Sequence, residues 1–314
     1  MPNVITILAG GTGGAKLAAG MADVVGAAEL TVVANTADDV EVYAAHVSPD
    51  PDLVTWWLAG LIDERGWGIW GDTWHVMEGL ESAGWPTWFR LGDRDLAFCL
   101  MRTAELQAGK RLTEAHAAVV LGAGVESRVL PMSDEPVRTH VRTGPDWRPF
   151  QEFMIVDQAA APIDGLAFRG IQDARPSPEV LDAIATAEAI VIGPSNPIIS
   201  IRPILNLPGL RQALVDSPAP VVAVSPFVGG HAIKGPSDAF MEFAGLPLGP
   251  DGVLAAYAGV IDGLVTDEPP EGEAAVPVHV TDTLMPDDAG RQRVAAATLE
   301  FARSLAAGAR DPHR

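Results

Sequence analysis

Ile5-Thr6-Ile7-Leu8-Ala9-Gly10-Gly11-Thr12-Gly13-Gly14-Ala15-Lys16-Leu17 is the stretch that decides the fold. Its first five residues form a short apolar run of the kind that makes a buried strand. Four glycines and a threonine follow, and then Leu17, Met21, Val24 and Val25 recur at helical spacing. Strand, glycine-rich turn and helix place several backbone N–H groups at a helix N-terminus, where the macrodipole favours an anion. Glycine permits close approach of a phosphate and a backbone with positive φ. Lys16 adds a point charge in the first turns. Gly11, Thr12, Gly13, Gly14 and Lys16 are therefore candidate phosphate-binding residues. The pattern is not G-x-x-x-x-G-K-[ST], because Ala15 precedes the lysine and Leu17 follows it. The G-x-G-x-x-G fingerprint fits Gly11 and Gly13 but meets Lys16 where its third glycine belongs. The stretch thus points to a phosphate at a helix start without specifying NAD or ATP. The alternative is a tight turn that binds nothing.

Leu30-Thr31-Val32-Val33-Ala34 reads as a second buried strand, parallel to the first through a β-α-β crossover. It ends in Asn35, where an NAD-binding fold would carry an acid. Asp38 and Asp39 come just after, near the carboxyl edge of the sheet, where open α/β folds bind ligands. Either acid is a candidate for holding Mg²⁺ or a ligand hydroxyl; the alternative, more serious for Asp38, is a solvated turn. His46, Asp50 and Asp52 follow in an acid-rich loop, and oxygen ligands suit Mg²⁺. His46 stands open between a structural and a functional role.

Further along, Ala189-Ile190-Val191-Ile192 and Val221-Val222-Ala223-Val224 are apolar runs typical of the middle of a parallel sheet. The first ends in Gly193-Pro194-Ser195-Asn196, the second in Ser225-Pro226-Phe227-Val228-Gly229-Gly230, with Lys234 close behind. Four strands that each end in small, polar or acidic residues point to one shared crevice. Leu264 to Thr266 and Val276 to Val280 read as further strands, and 291–307 as a closing amphipathic helix, with 308–314 expected to be disordered. Between the two halves, 53–62, 72–81 and 95–106 read as helices. Residues 116–122 fit either a helix end or a strand. Residues 127–132, 136–142, 153–156 and 166–171 read as short strands, the first three antiparallel. The expected class is α/β: a Rossmann-like, mostly parallel sheet flanked by helices, with a helical and antiparallel insertion after the second strand. The core would comprise 1–52 and 176–308, the insertion 53–175 and the tail 309–314.

Composition narrows the function. The 314 residues carry 41 Asp+Glu against 21 Lys+Arg, which disfavours nucleic acid and anionic membranes as partners. Cys99 is the single cysteine, so neither an internal disulfide nor a zinc site built of cysteines is available. No apolar run reaches membrane-spanning length and no signal peptide is evident, so a cytoplasmic location is expected. Of the three lysines, Lys16 and Lys234 lie in glycine-rich segments. Seven of the eight tryptophans fall between Trp56 and Trp88. They suit a helical core or subunit interface, with one or two open to walling an aromatic ligand.

Assembled, GGTGGAK (10–16), NTADDVEVYAAHVSPDPD (35–52), WGIWGDT (67–73), LGDRD (91–95), LPMSDEPV (130–137), IGPSNPIISI (192–201), VSPFVGG (224–230) with KGP (234–236), and TDTLM (281–285) resemble the 2-phospho-L-lactate transferase family of deazaflavin coenzyme F-420 biosynthesis. The motifs run in order through nearly the whole chain. Departures are small: Ala37 where glycine is frequent, Trp70 within WGIWGDT, and Pro51 within SPDPDL. The resemblance implies transfer of a phosphoenolpyruvyl or 2-phospho-L-lactyl group from a guanosine diphospho donor to the terminal hydroxyl of the deazaflavin FO, with release of GMP. It implies Mg²⁺ and a homodimer. Asp39 and His46 are then the catalytic candidates, and Asp39 with Asp50 the metal ligands. Ser195, Asn196, Gly229 and Lys234 join the glycine-rich loop around the nucleotide. Asp39, His46, Asp93, Pro226 and Phe227 are the acceptor-side candidates. A related group with a similar glycine-rich start looks like nucleotide-sugar-binding regulators rather than enzymes and is the alternative. The acidic HVSPDPD loop and IGPSNP favour the transferase.

Overall fold

A computed structural model describes residues 4–232 and 236–309. The apolar runs become one seven-stranded parallel sheet. In chain order its strands are β1 (Ile5–Ala9), β2 (Leu30–Ala34), β3 (Arg128–Pro131), β4 (Ala189–Ile192), β5 (Val221–Val224), β6 (Gly263–Thr266) and β7 (Val278–Val280). Across the sheet the order is β7-β6-β5-β4-β1-β2-β3. This is the doubly wound arrangement, and its direction reverses between β1 and β4, where a crevice opens beyond the carboxyl ends. Ile5 stands opposite both Leu30 and Ala189, so β1 is an interior strand, beside the central β4.

Strands covered on both faces must be apolar on both, and β1, β2, β4, β5 and β6 are wholly buried. Ile5, Ile7 and Ala9 face a cluster with Leu17, Met21, Leu53 and Val294. Leu8 faces the other way, toward Ile190, Ile192, Phe227 and Tyr257. The helices on the first face are α1 (Gly11–Val25), α2 (Pro49–Leu58) and α4, the C-terminal helix Asp288–Ala309. Within the segment between β2 and β3 lies α3 (Asp93–Gln107), preceded by the short helix His75–Ser82.

Several expected elements are corrected. Residues 128–131 pair in parallel with β2 instead of joining an antiparallel group. The helix Leu112–Gly122 supplies the crossover that a parallel neighbour requires, and it resolves 116–122 as helical. Residues 153–156 fall in and just after the helix Phe150–Ile155, not in a strand; a short apolar run does not distinguish the two. The antiparallel expectation holds for Arg138–Thr143, which pairs with Asp146–Pro149 and Gly165–Arg169. A small hairpin, Val40–Val42 with Ala45–Val47, was not foreseen. Its turn holds Tyr43 and Ala44 at φ 54° and 59°, in place of the usual Asn-Gly. The Tyr43 hydroxyl anchors it by donating to the Phe89 carbonyl at 2.9 Å. The expected disordered tail lies almost wholly outside the described residues. No described helix is long and apolar enough to cross a membrane.

Helix α1 lies close against α4 because Gly20 has no side chain. A Cβ there would sit 2.4 Å from the Arg291 carbonyl oxygen. Gly20→Ala should therefore force the two helices apart and lower stability by about 1–3 kcal/mol. Urea unfolding would measure this, and an unchanged midpoint would refute the tight-crossing account.

Candidate active site

The helix begins at Gly11 itself, so Gly11 to Gly14 form its first turn. Gly11 has φ +63°, a backbone conformation that glycine adopts without strain. Two of the leading amides are already used. The Gly10 N–H donates to Ser195 Oγ at 3.1 Å, and the Gly11 N–H donates to Asp50 Oδ1 at 2.7 Å. A helix start leaves its first N–H groups without intrahelical partners, so the Thr12 and Gly13 amides are the ones left for a ligand. Gly13 and Gly14 are also packing requirements. A Cβ on Gly13 would lie 2.0 Å from the Pro194 carbonyl oxygen, and one on Gly14 would lie 2.6 Å from Ser195 Oγ. The loops after β1 and β4 thus touch at the point where strand order reverses.

Asn196 caps the next segment. Its Oδ1 accepts from the amides of Ile198 and Ile199 at 2.8 and 3.1 Å, and its Nδ2 is buried without a partner. The following turn, Pro197–Ile201, is a wide π-helix, a rare form that recurs at functional sites, and it sets Ile199 and Ser200 in the crevice wall. Lys16 Nζ donates to the Met285 carbonyl at 3.1 Å and lies 5.6 Å from the centroid of the Trp57 ring.

The acids are organised by Asn35, at the end of β2. Its Nδ2 donates to Asp38 Oδ2 at 3.2 Å and to Asp50 Oδ2 at 3.0 Å, while its Oδ1 accepts from the Ala37 amide. Asp38 and Asp50 are each only 7% exposed. Burial, and then the neighbouring Asp50 charge, hold the Asp38 carboxyl well above the usual carboxylate range. Burial raises Asp50 to about 6, against the opposing pull of the Gly11 amide and Asn35. Asp38 Oδ1 has no hydrogen-bond partner.

Asp39 is held differently. Its Oδ1 accepts from Ser48 Oγ at 2.7 Å, and its Oδ2 lies 3.0 Å from His46 Nε2. Burial works against a charged His46, but hydrogen bonds with Asp39 and Glu41 outweigh it and raise the imidazole above its ordinary value. The His46 backbone is clamped by α3: its N–H donates to Thr103 Oγ1, and its carbonyl accepts from Arg102. Arg102, fully buried, also grips Asp52 with two bonds of 2.6 and 2.7 Å.

Two clefts result. The larger, of about 510 Å³, is lined by Gly11, Thr12, Gly13, Lys16, Asp38, Asp50, Ser195, Asn196 and Pro226 among others. The smaller, of about 290 Å³, is lined by Asp38, Asp39, Glu41, Trp88, Arg138, His140 and Gln151 among others. Asp38 and Phe150 line both. The structure therefore gathers most of the expected nucleotide residues in one cleft, with Gly14 packed just beneath. Asp39 lines the second cleft with its side chain buried, and His46 is hydrogen-bonded to it. Other expected residues lie elsewhere. Phe227 is buried in the core, and Val228 takes the place at the cleft wall. Gly229 donates its N–H to Asp267 at 2.7 Å. Asp93 caps the helix His75–Ser82, accepting from Thr73 Oγ1 and from the amides of His75 and Val76, and lines neither cleft. Lys234 lies outside the described residues. Phe150, Ser200 and the segment 283–286 were not singled out as site residues. Asn35 and Ser225 had drawn notice only as strand ends.

The family model described as 2-phospho-L-lactate transferase CofD matches residues 5–298. The chain belongs to this family. A phosphoenolpyruvate transferase of Kitasatospora aureofaciens is 39% identical over 279 residues, covering 86% of this chain and 87% of that protein. A 2-phospho-L-lactate transferase of Methanosarcina mazei is also 39% identical, with 83% and 86% covered. That of Methanocaldococcus jannaschii is 34% identical over 310 residues, with 96% and 99% covered. Among solved structures, a Bacillus halodurans protein of the upf0052 family superposes with a TM-score of 0.62 at 18% identity, over 95% of this chain and 99% of that one. At that identity the likeness concerns the fold alone.

The support beneath the site carries its own titration. Burial, then the charges of Asp52 and Asp72, push Asp95 up to about 7. In the unfolded chain an aspartate titrates near about 3.9. The folded chain thus keeps a proton that the unfolded chain has lost, and this group's contribution falls as pH rises from about 4 to about 7. Asp95→Asn removes the group. Thermal unfolding across that range should show a shallower loss of stability in the variant than in the unsubstituted chain; parallel profiles would show that Asp95 does not titrate there.

Proposed function

We propose that this chain transfers a phosphoenolpyruvyl or 2-phospho-L-lactyl group from a guanosine diphospho donor to the terminal hydroxyl of the deazaflavin FO, releasing GMP. The named activities of its relatives support the reaction class. The observation that carries the reading is the pair of clefts sharing Asp38 and Phe150. A transfer between two bulky substrates needs two adjoining compartments with the reacting phosphorus at their junction. The larger cleft has a helix start for the diphosphate, and the smaller opens beside it for the acceptor.

In this reading the acceptor oxygen bonds to the distal phosphorus, and the bond from that phosphorus to the GMP oxygen breaks. The hydroxyl proton passes to Asp39, which Ser48 and His46 hold in place on the acceptor side. The Thr12 and Gly13 amides orient the diphosphate. Phosphoryl chemistry of this kind depends on positioning and on charge stabilisation more than on covalent steps. The donor set also fits Mg²⁺: Asp38 has an orphaned buried oxygen, and Asp50, whose oxygens accept from the Gly11 amide and from Asn35, lies beside it in the wall of the larger cleft. Asp38 and Asp50 are thus the residues that would hold the ion, which when bound would neutralise charge on the diphosphate.

Incubation with FO, Mg²⁺ and each guanylyl donor, followed by mass analysis, should show the coupled product together with GMP from one donor. No product from either would reject the transferase reading. Asp39→Asn should lower turnover by at least about 100-fold, in line with the loss of a general base. GDP affinity, read by calorimetry, should persist in that variant. Full turnover would remove Asp39 from the mechanism.

A further inference from the structure

The segment after β7 closes the larger cleft from the far side, through Thr283 to Pro286. It is tied down on every side. The Thr281 amide donates to the Thr266 carbonyl at 2.8 Å. Asp282 accepts from the Leu284 amide through Oδ1, at 2.9 Å, and from Arg293 Nη2 through Oδ2, at 2.6 Å. Arg293 also donates to the Leu284 carbonyl, and Lys16 to that of Met285. One polar group is left over. Thr283 is 4% exposed, lines the cleft, and its Oγ1 has no hydrogen-bond partner. A buried hydroxyl without a partner is costly, and a native structure that keeps one in a cleft wall has a use for it.

Position indicates what it meets. Thr283 and the three residues after it line the same cleft as Gly11, Thr12 and Gly13, and Lys16 of α1 holds the segment there through the Met285 carbonyl. Building on the guanylyl-donor reading, this cleft receives the donor nucleotide. We infer that the Thr283 hydroxyl hydrogen-bonds that nucleotide and so sets its affinity without taking part in the chemical step. Asp282 and Arg293 act as positioning residues that hold it there.

The test compares the full chain with Thr283→Val, which keeps the shape and removes the hydroxyl, and with Thr283→Ser, which keeps the hydroxyl. GDP is the probe, titrated by calorimetry in the presence of Mg²⁺. Thr283→Val should weaken GDP binding about three- to tenfold, the range expected for one net hydrogen bond, and Thr283→Ser should stay within about twofold. In the transfer assay the Val variant should raise KM for the donor and leave kcat within about twofold, because the contact is the same in the ground and transition states. Its melting temperature without nucleotide should be unchanged or higher, since an orphaned hydroxyl has been replaced by a methyl; a merely structural role would lower it. If the Val substitution prevents folding, Thr283→Ala is titrated in its place with the same expectation. Equal GDP affinity in the hydroxyl-free variant and the unsubstituted chain would overturn the assignment of Thr283 alone. Failure of the unsubstituted chain to bind GDP would overturn the guanylyl reading, and this inference with it.

Discussion

The site depends on the close approach of two loops. The carbonyl of Pro194 and the hydroxyl of Ser195 lie where side chains at positions 13 and 14 would otherwise be. Because both positions are glycine, the loop after β4 rests directly on the first turn of α1. That contact draws the two central strands' carboxyl ends into one wall, lets Ser195 take the Gly10 amide, and directs Asn196 into its capping role. Close backbone packing and phosphate binding are usually offered as rival reasons for a glycine-rich turn. Here they act on different atoms: the missing side chains of Gly13 and Gly14 answer to packing, while the amides of Thr12 and Gly13 remain for an anion.

The second organising feature is the separation of three neighbouring acids into distinct tasks. Asn35 holds Asp38 and Asp50 together through one amide nitrogen, whereas Asp39 turns away to Ser48 and His46. The helical segment between β2 and β3 supports this arrangement from behind. Arg102 reaches from α3 to the carbonyl of His46 and to both oxygens of Asp52. An arginine so deeply buried is tolerable only with its charge matched, and removal of either partner would leave the other unpaired in a low-dielectric setting. The backbone that presents His46 is therefore fixed by electrostatics rooted some distance from the cleft.

What the sequence made legible follows from these forces. Strands buried on both faces leave an unmistakable apolar run, so β1, β2, β4, β5 and β6 could be read directly, and the glycine-rich turn announced α1. The edge strand β3 was legible as a strand but read as antiparallel, and its parallel pairing with β2 became visible only once the 112–122 helix was in place. The Asp38–Asp39 pair was legible as a candidate site, but not that the two carboxylates part, Asp38 to Asn35 and Asp39 to Ser48 and His46. That is settled by the hairpin at 40–47, whose Tyr43-Ala44 turn lacks the usual glycine signal. Asp93 was an acceptor-side candidate through the resemblance, yet its carboxylate is spent on capping the helix His75–Ser82. Thr283 was hidden because a single threonine in a loop says nothing until its neighbours' hydrogen bonds are known.

The carboxylate of Asp50 on the Gly11 amide has a wider consequence. The positive end of α1 already faces an acidic group before any ligand arrives, so a bare phosphate gains less there than at an open helix start. Repulsion from Asp50 further discourages an anion that comes without countercharge. The pocket is thereby biased against inorganic phosphate and other small anions, and toward a ligand large enough to draw attraction from the rest of the cleft. A weakness at the most obvious anion hole becomes a filter for the size and the accompanying charge of what is admitted.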